Sequence, residues 1–398
     1  CRGQGGEARQ MTMFKLWVFL VVLLAAPAAA FAQALSLSEV LASSRRHAPQ
    51  ILEAMARTKA AEARRLAARG AFDTVLTAEA SDRAGGDYGG AFASVSATRP
   101  IPAWGGSVYT GYSLSNGDFP SYEGALATPG GGEIKVGAVF ALLRDRAIDD
   151  RRFGLSNAAL DVTAAELDYA ATVIGVQRRA VSAYNAWVAA GLRLRNFESL
   201  LQLAQERQRG LQRQVDVGAR PRIILTESEQ AILRREALLA RARQDLTNAA
   251  ISLSFFLRDP AGRPQIPDPQ QLPPSFADGL TETGQAGDAQ SRPDLRVLDI
   301  RLRQARDRLG LEKNGLLPRL DFRIEASQGL AGSLPRSLLP DRTEVKAGLR
   351  FSVPLQQRAA SGRIAAGQAE INAIERRRQG VEEQIEIEIA RLSNDVAA

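Results

Sequence analysis

Cysteine and histidine are nearly absent: Cys1 and His47 are the only examples in 398 residues. Two such residues cannot build a Cys/His zinc site, a disulfide framework, or a nucleophile activated by a nearby imidazole. No enzymatic role, metal or cofactor is therefore expected, and the carboxylate pair Asp149 and Asp150, set beside Arg146, Arg151 and Arg152, reads as solvated helix-start charge. Lysine is scarce, and the arginines are scattered among acids, so the net charge of +7 forms no dense basic block. With aromatics at 6%, nothing suggests a nucleic-acid partner. Beyond the first 32 residues no run of eighteen apolar residues occurs, which argues against membrane-spanning helices.

What is present is an apolar fraction of 45%, enough for a large folded core. The front of the chain carries Lys15, an apolar run over 16–26, Pro27 and the small-residue pair Ala30 and Ala32. This is a basic region, an apolar region and a cleavage site, so 1–32 reads as upstream residues plus a signal peptide, with a start at Met11 or Met13 and Gln33 as the first mature residue. An uncleaved anchor is the competing reading; Pro27 and the two alanines favour cleavage. No cysteine follows to accept a lipid.

The mature chain opens on Ser36 with Glu39 three residues on, flanked by Leu35 and Val40: a capping box with a hydrophobic staple. A helix broken near Pro49 should run to about Gly70. From 72 to 142 the sequence is rich in Gly, Ser, Thr, Tyr and Val. Val108, Thr110, Tyr112 and Leu114 alternate with Ser107, Tyr109, Gly111 and Ser113, and Ile134, Val136, Ala138, Phe140 and Leu142 repeat the pattern. These are strands, with turns at 116–120 and 129–132, although the pairing is not legible.

Then comes the strongest periodicity in the chain. Leu155, Val162, Tyr169, Val176, Ala183, Ala190, Phe197, Ala204 and Leu211 lie seven apart, and a second stripe containing Trp187 and Leu194 is interrupted at Glu166 and Gln208. Sustained seven-residue spacing predicts a coiled-coil helix, about 90 Å long over 154–212. Val217, Gly218 and Ala219 interrupt it, and Leu225, Ile232, Leu239, Leu246 and Leu253 set a return stripe ending near Arg258. The two arms predict an antiparallel helical hairpin.

Prolines and glycines make 259–291 an irregular connector. The pattern then restarts: Arg292, Pro293, Asp294 and Leu295 correspond to Ala48, Pro49, Gln50 and Ile51, and strands follow Pro318. Leu320, Phe322, Ile324 and Ala326 alternate with Arg319, Asp321, Arg323 and Glu325. Val345, Ala347, Leu349, Phe351 and Val353 alternate with Glu344, Lys346, Gly348, Arg350 and Ser352. One face is apolar and the other charged, as in a barrel strand between hydrocarbon and water. A soluble sheet with one wet face gives the same alternation. The expected organisation is 33–258 as a first structural repeat, 259–291 as a Pro/Gly-rich connector, and 292–398 as a second repeat that stops short of its own hairpin tip, so the chain reads as C-terminally incomplete.

This order of elements resembles the TolC-like outer-membrane efflux protein family. The resemblance rests on Leu35-Ser36-Leu37-Ser38-Glu39-Val40-Leu41 with Pro49 after it, on Val217-Gly218 followed by Leu225 and Glu227, and on Phe351-Ser352-Val353-Pro354-Leu355 before an Ala-rich helix. Ala141 stands where the family usually has proline, and Ile223 and Ile224 stand where it has acid. The resemblance implies a mixed α and membrane-β fold: a homotrimeric outer-membrane β-barrel with about four strands per protomer, continuing into a long periplasmic α-helical coiled-coil barrel. It implies a passive conduit in the outer membrane of a Gram-negative bacterium, serving tripartite efflux or type I secretion with an inner-membrane pump and a periplasmic adaptor. The hairpin tip, Val217, Gly218, Ala219 and Arg220, would meet the adaptor, and Asp321, Arg323, Glu325, Glu344, Lys346 and Arg350 would face the barrel lumen, paired across strands. A secreted coiled-coil scaffold or adhesion protein with a soluble β domain is the alternative.

Overall fold

The computed structural model describes residues 34–83, 85, 89–117, 119, 128–275, 291–330 and 343–397. The expected leader, Gln33 and residues 276–290 of the connector lie outside the described residues. The chain forms two compact units that interleave in sequence, one from 1–49 and 175–284, the other from 50–174 and 285–398.

In the first unit, helix α1 (Leu37–His47) starts at the expected capping box. Glu39 donates its backbone N–H to Ser36 Oγ at 3.3 Å, and the Ser36 N–H donates to Glu39 Oε2 at 3.0 Å. Leu35 and Val40 are both buried beside it. Helix α2 (Pro49–Arg69) follows after Ala48, so the break falls where proline forbids α1 to continue. Helix α3 (Asp150–Asp216) is continuous for 67 residues, about 100 Å, and helix α4 (Ile223–Ser254) returns beside its latter half. None of the nine residues of the leading heptad stripe is exposed, and Leu239, Leu246 and Leu253 on α4 are buried. At the base of this hairpin Trp187 is fully buried, 6.1 Å from the ring of Tyr184, whose hydroxyl donates to Leu35 O at 2.9 Å. The connector is tied in locally: Arg258 donates its N–H to Ser43 Oγ at 2.8 Å, and Leu35 donates to Gln271 O at 2.9 Å.

The second unit holds α2, the start of α3, helices α5 (Pro293–Asn314) and α6 (Arg358–Ala397), and one antiparallel sheet. Leu302, Leu309 and Ile371 form an apolar cluster between α5 and α6. Ion pairs Arg306–Glu375 at 3.0 Å and Arg378–Asp299 at 2.8 Å flank it. The sheet runs in chain order through β1 (Val75–Arg83), β2 (Gly90–Pro100), β3 (Ser107–Gly117), β4 (Glu133–Ala141), β5 (Arg319–Gly329) and β6 (Glu344–Ser352).

Six strands, four of them from 72–142, correct the expectation of about four in all. The extra pair escapes notice because β1 and β2 set Ala against Ser, Thr and Glu, a weak contrast; the β2–β3 turn, with Trp104 at φ 56 and Gly105 at φ 57, falls at Pro102-Ala103-Trp104-Gly105-Gly106. Among the described residues no helix is long and apolar enough to cross a membrane, a statement that concerns helices alone.

Candidate functional site

Register assigns the two faces of the sheet strand by strand. Tyr109 pairs with Gly137, Gly137 with Glu325, and Glu325 with Lys346, so these residues share one face. The six residues expected on the wet side, Asp321, Arg323, Glu325, Glu344, Lys346 and Arg350, all lie on that face together with Glu79, Glu133 and Lys135. The opposite face carries Leu76, Val95, Val108, Leu114, Val136, Ile324, Leu349 and Phe351.

Burial then runs opposite to that of a water-soluble sheet. On β3, Val108, Thr110, Tyr112 and Leu114 are exposed, whereas Ser113 and Ser115 on the polar face are buried. On β4, Ile134 and Val136 are exposed, while Glu133 and Lys135 are half-buried and Gly137 is buried. Leu76 is 71% exposed and Leu349 68%. A sheet in water covers its apolar face first. On β3 and β4 the polar side chains lie on the more covered side and the apolar ones on the more exposed side, whereas both faces of β1 and β6 are exposed.

The charges on the polar face neutralise one another along the strands. Arg319 donates to Asp321 at 2.8 Å, Lys346 lies 3.1 Å from Glu344, and Lys135 lies 3.1 Å from Glu133. The expected cross-strand pairing is thus corrected: Asp321 stands opposite Arg350 in register but takes Arg319 on its own strand, because residues two apart share a face and Arg319 reaches it first. One link does cross strands. The Tyr109 hydroxyl donates to Glu325 Oε2 at 2.5 Å, and the Arg323 guanidinium lies 5.5 Å from the Tyr109 ring. Tyr109 reaches β5 over β4 only because Gly137 has no side chain; a Cβ there would collide with the phenol. Sequence reading missed this group, since Tyr109 and Glu325 are 216 positions apart and only the run of polar residues on alternate positions marked them.

Topology makes the two ends of the sheet unlike. Helices α2, α3, α5 and α6 all join strands at the end holding Val75, Ala141, Arg319 and Ser352, which also carries Trp104, Phe140 and Phe351. There Asp149 accepts from the Arg152 N–H at 2.9 Å to cap α3, and Asn314 Nδ2 donates to Asp145 Oδ1 at 3.0 Å. The opposite end has only connections between strands.

The hairpin tip belongs to the first unit. Gly218, at φ 73, donates to Val215 O at 2.9 Å, and Ala219 donates to Gln214 O at 2.8 Å, the paired bonds of a Schellman cap. That conformation leaves Val217 uncovered at 78% exposure. Arg220 turns into a groove of about 430 Å³ between the arms, beside Leu203, Leu211, Ile224 and Glu227. Pro221 precedes the return helix, and Ile224 donates back to Pro221 O at 3.3 Å. Gln208, which interrupts the second stripe, buries its Oε1 without a hydrogen-bond partner among the described residues.

No family model matches the chain, and no curated protein matches it. Solved structures do. The chain is similar to the outer-membrane channel OprN, at 18% identity and a TM-score of 0.58 over 88% of this chain and 72% of that one. It is similar to the outer membrane protein VceC from Vibrio cholerae, at 16% identity and a TM-score of 0.57 over 91% of this chain and 79% of that one. It is also similar to the MtrE outer membrane channel of Neisseria gonorrhoeae in its open state, at 16% identity and a TM-score of 0.53 over 93% and 78%. The fold is that of the outer-membrane channels. Antiparallel strands joined to long helices in this order match what the order of elements in the sequence predicts.

Proposed function

We propose that the protein is the outer-membrane channel of a Gram-negative export system, a passive conduit that performs no chemical step. The observation that carries this reading is the inverted burial of the sheet, with Val108 and Val136 uncovered while Ser113 and Ser115 are covered. Hydrocarbon outside and water inside account for that inversion, and strands of nine to eleven residues have the length to span. An open sheet edge cannot stand in lipid, because unpaired backbone groups there have no water to bond. Three copies of the sheet would close a ring, with the repeats 33–258 and 292–398 each giving strands to the barrel and helices to a periplasmic extension. In this arrangement Asp321, Arg323, Glu325, Glu344, Lys346 and Arg350 face the lumen, and Val217, Gly218, Ala219 and Arg220 meet a periplasmic adaptor that joins the channel to an inner-membrane pump, for efflux or type I secretion.

The test has two parts. Outer-membrane fractionation with heat-modifiable migration, followed by single-channel recording in planar bilayers, should give a membrane-embedded oligomer with steady conductance. Recovery as a freely soluble protein in periplasmic extract would instead establish the scaffold or adhesion alternative.

A further inference from the structure

The strand order leaves β1 and β6 as the two edges of the sheet, and every residue of both is exposed. They are equal in length at nine residues, and an even number of alternating strands makes them antiparallel to each other. Their polar faces differ from the interior in one respect. Among the described residues, Glu79 on β1 and Arg350 on β6 take part in no ion pair, hydrogen bond or ring contact, whereas each other charged side chain of that face has at least one of these. One unpaired acid thus lies on one edge, and one unpaired base on the other.

We infer that β6 of one copy pairs antiparallel with β1 of the next, in the register that overlaps both strands fully, and that Glu79 enters the gap at Gly348 between Lys346 and Arg350 of its neighbour. The inference rests on the channel reading and deepens it by naming the contact that closes the ring. Full overlap with matching faces sets Val75 opposite Ser352 and Arg83 opposite Glu344, which places Glu79 directly opposite Gly348. Nothing lies within 4 Å of where a Gly348 Cβ would be, so the place is open. Lys346 and Arg350 are then the diagonal neighbours of Glu79, at about 7–8 Å between backbones, a span that long side chains bridge. The arrangement repeats at the junction what the interior already does, where Tyr109 crosses Gly137 to reach Glu325. A shift by one residue would turn the charged face of one copy to the apolar face of the next, so only even shifts compete, and among them only full overlap pairs all nine residues of both strands and sets Arg83 opposite Glu344.

In the full chain carrying Cys1→Ser, Glu79→Cys together with Gly348→Cys should oxidise in isolated membranes to give reducible species of two and three copies on denaturing gels. A disulfide with no change in mass, meaning the sheet closes on itself, would overturn the inference, as would two thiols that remain free. A charge exchange provides the second readout. Glu79→Lys should lower the fraction of heat-resistant oligomer several-fold, and adding Arg350→Glu should restore most of it; a double variant no better than the worse single one would count against the pairing. Conductance of the unsubstituted protein separates the two levels. A conducting protein that does not cross-link between copies refutes the junction alone, and a cross-linked oligomer that never conducts refutes the channel while leaving the junction intact.

Discussion

The sheet and the hairpin draw on the same few aliphatic side chains and dispose of them in opposite ways. Along α3 and α4 the residues seven apart turn toward a neighbouring helix, and Val176, Leu246 and Leu253 lose nearly all contact with solvent. Along β3, β4 and β6 the residues two apart turn outward, leaving Val136, Leu349 and Phe351 uncovered. Hydropathy alone therefore does not say what covers a residue. The period narrows the choice: a seven-residue stripe finds its complement on another helix, while a two-residue alternation has one wet face, and burial decides whether the other meets a core or hydrocarbon.

The largest test of that contrast lies at the base of the hairpin. Trp187→Ala should cost about 3–5 kcal/mol, since it empties a fully buried aromatic site, and the loss would be read as a lowered midpoint of helix melting. Slightly smaller is the effect of Val136→Arg on the outward face, about 2–4 kcal/mol if that face meets hydrocarbon, measured as loss of outer-membrane assembly. A soluble sheet would accept the same arginine with little change, so this variant is the one that breaks the comparison. Tyr184→Phe should cost about 0.5–1.5 kcal/mol through the bond to Leu35 O.

The same tyrosine gives a pH dependence. Burial, and secondarily Glu39, raise the Tyr184 pKa above the ordinary value of 10.0. The folded state holds the phenolic proton that the unfolded chain releases, so this stabilisation is complete below about pH 10 and is lost as pH rises through the raised value. Alkaline titration of hairpin melting should therefore fall less steeply in Tyr184→Phe than in the unsubstituted protein.

How much of this was legible in the sequence follows from range and contrast. The capping box at Ser36 and Glu39, the break at Pro49 and the heptads ending at Leu253 depend on neighbours within a few positions, and the structure has each of them. Strands β3 to β6 were visible because large apolar and polar residues alternate. In β1 and β2 the alternation sets Ala78, Ala80, Ala91 and Ala93 against Ser, Glu and Phe, and alanine on the outer face is too small and too common in helices to mark it. The six lumen-side candidates share one face of the sheet, as the alternation predicts, yet their partners were not legible. Whether Asp321 takes Arg319 or Arg350 depends on rotamers, and the Tyr109–Glu325 bond depends on a glycine in a strand that lies between them in space and far from both in sequence.

The smallest expected effect sharpens the comparison from the wet side. Asp321 accepts from Arg319 at 2.8 Å, and Arg319 keeps more than half of its side chain in solvent. Such a pair is worth about 0–1 kcal/mol, because water and salt screen what the geometry offers. Asp321→Ala should accordingly leave the oligomer intact on unheated gels. It would still remove one negative charge per copy from a face on which Arg319 and Arg350 then stand unopposed, so the preference for anions over cations in bilayer recordings should rise modestly, and the rise should shrink at high salt. Loss of the oligomer on this single change would mean that Asp321 lies in a closed core and that the polar face is not open to water. The face that tolerates Val136→Arg and the face that tolerates Asp321→Ala cannot both be the one in contact with lipid, so the two variants together assign the faces.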